Sequence, residues 1–161
     1  LVVGKTEGHI DQSVFARSIL DKKNGPPPEI NLFNEKNNGE TILKLIDKKL
    51  IKSAHDISLG GIITAVSKMC ISGKKGIILK KPNYLINQLE YLFGEDQGRY
   101  IIEIESNNIK NVTEILEKNS VHFDELGIIN NNELIVDDKS KVTIDELTKS
   151  NTNWLSNFMS K

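Results

Sequence analysis

The apolar positions fall into short runs whose spacing changes several times along the chain, and each change marks an element. Leu1-Val2-Val3 is a short apolar strand leading into a Gly-flanked loop, Gly4 to Gly8. Val14, Phe15, Ser18 and Ile19 then follow helical spacing. Gly25-Pro26-Pro27-Pro28 stops that helix, because three successive prolines cannot continue it. Ile42, Leu43, Ile46 and Leu50 share one face of a second helix, predicted over Glu40 to Leu50. Ile51 to Ile57 reads as a strand ending at Ser58-Leu59-Gly60-Gly61. A third helix follows with Ile62, Ile63, Val66, Met69 and Cys70 as its apolar stripe, and Gly76 to Lys80 is a strand.

Tyr84 to Leu92 carries a weak helical pattern, Phe93 to Gly98 is a loop, and Arg99 to Glu105 is a strand. Ile109, Val112, Ile115 and Leu116 define an amphipathic helix over Asn108 to Glu117. Val121 to Ile129 and Glu133 to Val136 read as two strands separated by Asn130-Asn131-Asn132. Thr143-Ile144-Asp145-Glu146 has the form of a capping box, and the helix it opens carries Trp154, Leu155, Phe158 and Met159 on one side. Roughly six strands and six or seven helices interleave without strict alternation, which predicts α+β with a mixed, largely antiparallel sheet. No internal repeat is visible.

Composition narrows the function. The chain has 161 residues, 38% hydrophobic and 27% charged, with 21 basic against 22 acidic residues and a net charge of −1. That length suits a single domain, 1–161, and the opening Leu1 without Met reads as a piece of a longer protein. The balanced charge gives no basic surface for nucleic acid. No apolar run approaches the ~18 residues of a membrane span, and no signal segment leads the chain. A lone cysteine, Cys70, excludes a disulfide framework and Cys-x-x-Cys metal sites, points to the cytoplasm, and reads as a small buried hydrophobe. The basic residues are lysines apart from Arg17 and Arg99.

Three polar segments sit at element ends. Gly4-Lys5-Thr6-Glu7-Gly8-His9 can present backbone N–H groups to an anion, or can be an ordinary turn. In His55-Asp56-Ile57-Ser58-Leu59-Gly60-Gly61, two glycines at a helix N-terminus admit a phosphate, and Asp56 offers the hard oxygen that magnesium prefers. The competing reading has Asp56 or Ser58 capping the helix, with His55 a structural hydrogen-bonding residue. Gly94-Glu95-Asp96-Gln97-Gly98-Arg99 can bind a metal or polar substrate, or can be a turn with an internal ion pair. General acid–base work by Glu95 with Asp96 is not supported, because neighbours on an extended chain point apart.

Taken in order, Lys5-Thr6-Glu7-Gly8-His9, Gly25-Pro26-Pro27-Pro28, Ser53 to Gly61, and Leu92-Phe93-Gly94-Glu95-Asp96-Gln97-Gly98-Arg99-Tyr100 form a set. That set resembles the C-terminal domain of the phosphoribosylformylglycinamidine synthases, in the shorter form whose glutaminase is separate. The resemblance runs to the closing Trp154-Leu155-Ser156-Asn157-Phe158-Met159. It implies a three-layer α/β/α, partly ferredoxin-like fold. The implied activity is conversion of formylglycinamide ribonucleotide, ATP and glutamine-derived ammonia to formylglycinamidine ribonucleotide, with magnesium on the phosphates. The implied partners are the N-terminal domains of its own chain, a glutaminase subunit and a small accessory subunit.

Family synthetases contain two related halves, and this chain resembles the C-terminal domain of the second. In the first half, the residue matching Asp56 is a magnesium ligand, and the segment matching Glu95-Asp96-Gln97 contacts substrate. The second-half counterpart is a pseudo-symmetric site, holding a structural nucleotide in some members. The resemblance therefore implies Ser58, Gly60, Gly61, Glu95, Gln97 and Arg99 as auxiliary nucleotide- or phosphate-binding residues, Asp56 as a magnesium ligand, and no catalytic residue. The chain departs from the family at Leu59, where an acidic residue is common, at Gly94 and Asp96, where Ser is common, and at Asp11, where Gly is usual. The alternatives are a sister enzyme of the aminoimidazole ribonucleotide synthetase, selenophosphate synthetase or hydrogenase-maturation type, or a non-catalytic scaffold.

Overall fold

The structure is a computed structural model and describes residues 1–160. In chain order its elements are β1 (Val2–Val3), α1 (Val14–Ser18), α2 (Leu32–Asp47), β2 (Ser53–Ile57), α3 (Gly61–Gly73) and β3 (Gly76–Leu79). They continue with α4 (Gln88–Phe93), β4 (Arg99–Glu103), a 3-10 turn at Ser106–Asn108, α5 (Ile109–Lys118) and β5 (Phe123–Asp124). The last are β6 (Gly127–Asn130), β7 (Glu133–Ile135), β8 (Lys141–Thr143) and α6 (Ile144–Met159). Contacts gather into two compact units: Leu1–Ala65 with Pro82–Glu125, and Val66–Lys81 with Leu126 onward.

The first unit carries an antiparallel sheet in the order β2-β4-β1-β5. Its core joins Val3 and Ile102 of the sheet to Ile42 and Leu45 of α2, and to Val112 and Leu116 of α5. Val112, Leu116 and partly buried Ile115 lie on the stripe expected for α5, whereas Ile109 is exposed, and in α2 Leu45 turns inward where Leu43 and Ile46 are expected. Complete burial of a Leu such as Leu45 or Leu116 contributes about 1.5–3 kcal/mol from removed apolar surface. Helix α2 starts about two turns before the predicted Glu40, because the Asn31 side chain caps it by accepting from the Asn34 N–H. Its early turns escape periodicity because they are held by polar contacts: Asn37 donates to the Asn119 carbonyl and Asn38 to that of Gly98.

The second unit carries a mixed sheet in the order β6-β3-β7-β8, with β3 antiparallel to β6 and parallel to β7. The link from β6 to β7 must therefore pass the end of β3. It does so at Gly76, where a Cβ would collide with the backbone of Glu133 and the Asn130 side chain. Asn130 Oδ1 in turn accepts from the Asn132 and Glu133 N–H groups, shaping the tight connection. Helix α6 opens with the expected capping box, Thr143 Oγ1 accepting from Glu146 N–H and the Glu146 carboxylate from Thr143 N–H.

The α+β class and mixed pairing match the expectation, but the strands divide between two four-stranded sheets rather than forming one. The predicted strand Val121 to Ile129 is split accordingly. Its first half is β5 of one sheet and its second half is β6 of the other, with buried Leu126 at the break. Apolar residues continue on both sides of Asp124-Glu125, so the hydrophobic pattern by itself does not assign the two halves to different sheets.

Candidate functional site

The sheet of the first unit brings the three polar segments together. Strand β4 pairs on one side with β1, Val3 opposite Tyr100, and on the other with β2, Asp56 opposite Tyr100 and Ile57 opposite Arg99. Both neighbours run antiparallel to β4. The loop leaving β1, the turn leaving β2 and the loop entering β4 thus share one end of the sheet.

Gly4 to His9 does present its backbone to an anion, and the anion is the Asp96 carboxylate. Asp96 Oδ2 accepts from the N–H groups of Glu7 at 3.2 Å and Gly8 at 3.0 Å, and Oδ1 accepts from that of His9 at 3.0 Å. Three successive N–H groups converging on a carboxylate form an anion-holding concavity of the kind that phosphates use. Asp96 itself is 8% exposed.

Arg99 closes this arrangement from inside. It is 1% exposed, and it donates from Nε to the Asp96 carbonyl at 3.1 Å, from Nη1 to Thr6 Oγ1 at 3.1 Å and from Nη2 to the Gly94 carbonyl at 2.7 Å. Nη1 also lies 3.5 Å from Asp96 Oδ2. Burial pulls the guanidinium below its ordinary value, opposed chiefly by Asp96, yet an arginine stays charged in proteins. Its fork fastens Gly94, Asp96 and Thr6 to one another. The guanidinium is fully buried.

Glu95 turns the opposite way. Its N–H donates to the His9 carbonyl at 2.8 Å, and its Oε1 accepts from Val14 N–H at 2.7 Å and Gly60 N–H at 2.8 Å. Val14 is the first residue of α1, whose N-cap Ser13 accepts from Ala16 N–H. One carboxylate thereby serves the start of α1 and the turn into α3, where free N–H groups and the helix dipole favour negative charge. Gly61 N–H is also used, donating to the Ser58 carbonyl at 3.0 Å. Gly60 and Gly61 adopt φ of +83° and +68°. At Gly61 a Cβ would stand 2.7 Å from the Leu92 carbonyl oxygen and 2.8 Å from that of Gly94, so glycine here admits the backbone that ends α4. Phe15 stacking on Phe93, centroids 4.4 Å apart, fixes α1 against that same end.

Of the residues singled out from sequence, Gly60, Gly61, Glu95 and Arg99 are joined in one hydrogen-bonded and packed cluster with Asp96. Ser58 and Gln97 are exposed beside it, and Gln97 donates to the Glu95 carbonyl at 3.3 Å. The Asp56 carboxylate is exposed at the end of β2. His55 Nδ1 donates to the Asp56 carbonyl at 2.6 Å. Among the described residues no three His, Cys, Asp or Glu side chains gather to hold a metal. Asp56 alone fits a magnesium ion only as one ligand among others brought by phosphates, water or another part of a longer chain. Exposed Leu59 adds no oxygen. Thr6 and Ser13 were not legible as members of the cluster, since a buried Thr or Ser carries no distinctive spacing. Cys70 is buried in the second unit, and burial pushes its thiol up to about 11, as befits a core residue rather than a nucleophile.

The chain is 76% identical over 159 residues to the phosphoribosylformylglycinamidine synthase subunit PurL of Pelagibacter ubique, and 35% identical over 159 residues to that of Bartonella henselae. Each match covers 99% of this chain but 22% of the relative, so the chain spans about a fifth of the curated relatives' length. Among solved structures, Thermotoga maritima PurL complexed with FGAR matches with a TM-score of 0.75 at 20% identity, over 91% of this chain and 27% of that one. The same protein complexed with AMPPCP matches at 0.66 and 19%, over 91% and 24%. The structure of PurLQS from Thermotoga maritima matches at 0.63 and 20%, over 91% and 25%. At such identities these structures establish the fold alone. The domain described as "AIR synthase related protein, C-terminal domain" matches residues 1–139. That match takes in both β1 at the start and β7 near the end, and the chain belongs to this family of AIR synthase related C-terminal domains.

Proposed function

We propose that this chain is the second C-terminal domain of a phosphoribosylformylglycinamidine synthase subunit. In that reading the whole subunit is an ATP-dependent C–N ligase of purine biosynthesis. It converts formylglycinamide ribonucleotide and ammonia to formylglycinamidine ribonucleotide in the cytoplasm, with the ammonia supplied by a glutaminase subunit. The observation that carries the reading is 76% identity to a synthase subunit over 99% of the chain. The sister enzymes of the superfamily are less favoured for the same reason.

Within that enzyme, this domain's role is structural at its anion-binding loops. Asp96 fills the loop of Gly4 to His9, and Glu95 takes the Gly60 N–H, so two backbone sites suited to phosphate are satisfied by the chain's own carboxylates. Gly60, Gly61, Glu95 and Arg99 then serve the junction rather than a nucleotide. Asp56, Ser58 and Gln97 keep exposed side chains, Asp56 with Oδ1 3.4 Å from His55 Nδ1, and they are the residues left to meet a magnesium nucleotide. The magnesium would neutralise phosphate charge, with Asp56 as its one ligand from this domain. The remaining ligands and the substrate contacts come from the rest of the subunit.

The test is the full-length subunit supplied with formylglycinamide ribonucleotide, ATP, magnesium and ammonia. Product is expected from it and none from the 161-residue chain by itself. Turnover by the isolated chain, or an inactive full-length subunit, contradicts the proposal.

A further inference from the structure

The outer part of α6 is built for a contact that its own unit does not supply. Every residue from 151 to 160 is exposed, so this stretch of helix is unsupported on all sides. In proteins most helical stability comes from packing of an apolar face. The stretch nonetheless has one: Trp154, Leu155, Phe158 and Met159 are 58% to 74% exposed. Trp154 and Phe158 already stack, their ring centroids 5.6 Å apart and nearly parallel. From Ser150 to Ser160 there is no charged residue, in a chain where 27% of residues are charged. Depletion of Lys, Glu and Asp with enrichment in Trp, Phe and Met marks the buried centre of an interface rather than a solvated helix.

Two further observations indicate what covers it. The family match ends at residue 139, before α6, whereas the synthase relatives align over 159 residues of this chain. The helix thus goes with the synthase subunits rather than with the C-terminal domain family as a whole. The area is also small. Two aromatic side chains of ~150–250 Å² each, more than half exposed, with a Leu and a Met, offer roughly 400 Å² of apolar surface. A stable interface between separate chains needs about 800 Å² per partner. A patch of half that size suffices when its partner is tethered, because the effective concentration replaces the missing affinity.

We infer that the Trp154–Met159 face of α6 docks into an uncharged apolar groove on another part of the same synthetase chain. The inference rests on the reading that this chain is one domain of a longer synthetase. The partner accepts a flat aromatic pair one helical turn apart and presents no charge to it.

The test uses the full-length subunit with p-benzoylphenylalanine in place of Phe158. The expected result is an intrachain cross-link from position 158 to a residue outside these 161, at the mass of one chain. Hydrogen exchange over 152–159 in the unmodified subunit is expected to be slowed roughly 100-fold relative to a Trp154→Ser, Phe158→Ser variant. A cross-link between two copies, a cross-link to a separate subunit, or no cross-link with rapid exchange overturns the inference. Formation of formylglycinamidine ribonucleotide is assayed on the same preparations. An active subunit lacking the intrachain link sinks the docking alone, and an inactive subunit showing the link sinks the function alone.

Discussion

Arg99 separates a structural reading of the cluster from a ligand-binding one. Its guanidinium makes three hydrogen bonds, at 3.1, 3.1 and 2.7 Å, and faces the buried Asp96 carboxylate at 3.5 Å. Arg99→Met removes the cation, leaving buried Asp96 only its three backbone N–H donors and the Gly94 carbonyl unpaired. Breaking a buried pair of this kind costs about 3–5 kcal/mol. Domains hold only ~5–15 kcal/mol in total, so that variant can lose most of its folded population, and Arg99→Lys is the working probe. A lysine ammonium keeps the charge near Asp96, but it cannot reach the carbonyls of Asp96 and Gly94 and the Thr6 hydroxyl at once. A cost of about 2–3 kcal/mol is expected for it. Asp96→Asn leaves one acceptor for three converging N–H groups and should lose about 2–4 kcal/mol. The double variant Arg99→Met, Asp96→Asn should cost less than the sum by ~1–3 kcal/mol, since the two act on one interaction. Urea unfolding of the chain measures all four. A loss under ~0.5 kcal/mol for Arg99→Lys and Arg99→Met, the range of a surface change, refutes the structural role.

Three other expectations follow from the same geometry. Gly61→Ala places a Cβ within 2.8 Å of two carbonyl oxygens at φ +68°, so it should cost more than the ~1–3 kcal/mol of backbone strain alone, read from the urea midpoint. Tyr91 is 2% exposed and its hydroxyl has no hydrogen-bond partner among the described residues, so Tyr91→Phe should be neutral or stabilising by up to ~1–3 kcal/mol. A clear loss would mean that the hydroxyl has a partner. Cys70 sets an alkaline limit. Its folded thiol ionises at about 11, above the ~8.5 of an unfolded one, because burial disfavours the thiolate. Its contribution is complete below ~8.5 and is lost as pH rises to about 11, since only the unfolded chain releases the proton in that window. Wild type should therefore fall relative to Cys70→Ala between about pH 8 and pH 10.5, and parallel curves would contradict the assignment.

What the sequence disclosed divides along a physical line. Short-range signals were legible: the α5 stripe at Val112, Ile115 and Leu116 though not at exposed Ile109, the capping box at Thr143, the strand–turn–helix junction at Ser58 to Gly61, and the N–H-presenting loop of Gly4 to His9. The partners of those signals were not. Asp96 lies 88 positions from Gly8 and Glu95 lies 35 from Gly60, and only the pairing of β4 between β1 and β2 brings them together. Sequence could say that an anion fits the loop, but not that the anion is the protein's own side chain. The start of α2 was hidden for a related reason. Asn37 and Asn38 lower helix propensity locally, and their compensation is long-range hydrogen bonding that no window contains. The division of Val121 to Ile129 between two sheets is a matter of topology, to which alternation of apolar residues is blind.

The central claim is that this domain's phosphate-like backbone sites are filled by Asp96 and Glu95, leaving no complete nucleotide site on the chain alone. The most direct measurement is a calorimetric titration of the chain with ADP and magnesium, beside Asp56→Ala. The account predicts no saturable heat at millimolar nucleotide for either protein. Saturable binding to the wild type that Asp56→Ala abolishes would contradict it, and would place a working nucleotide site on this domain.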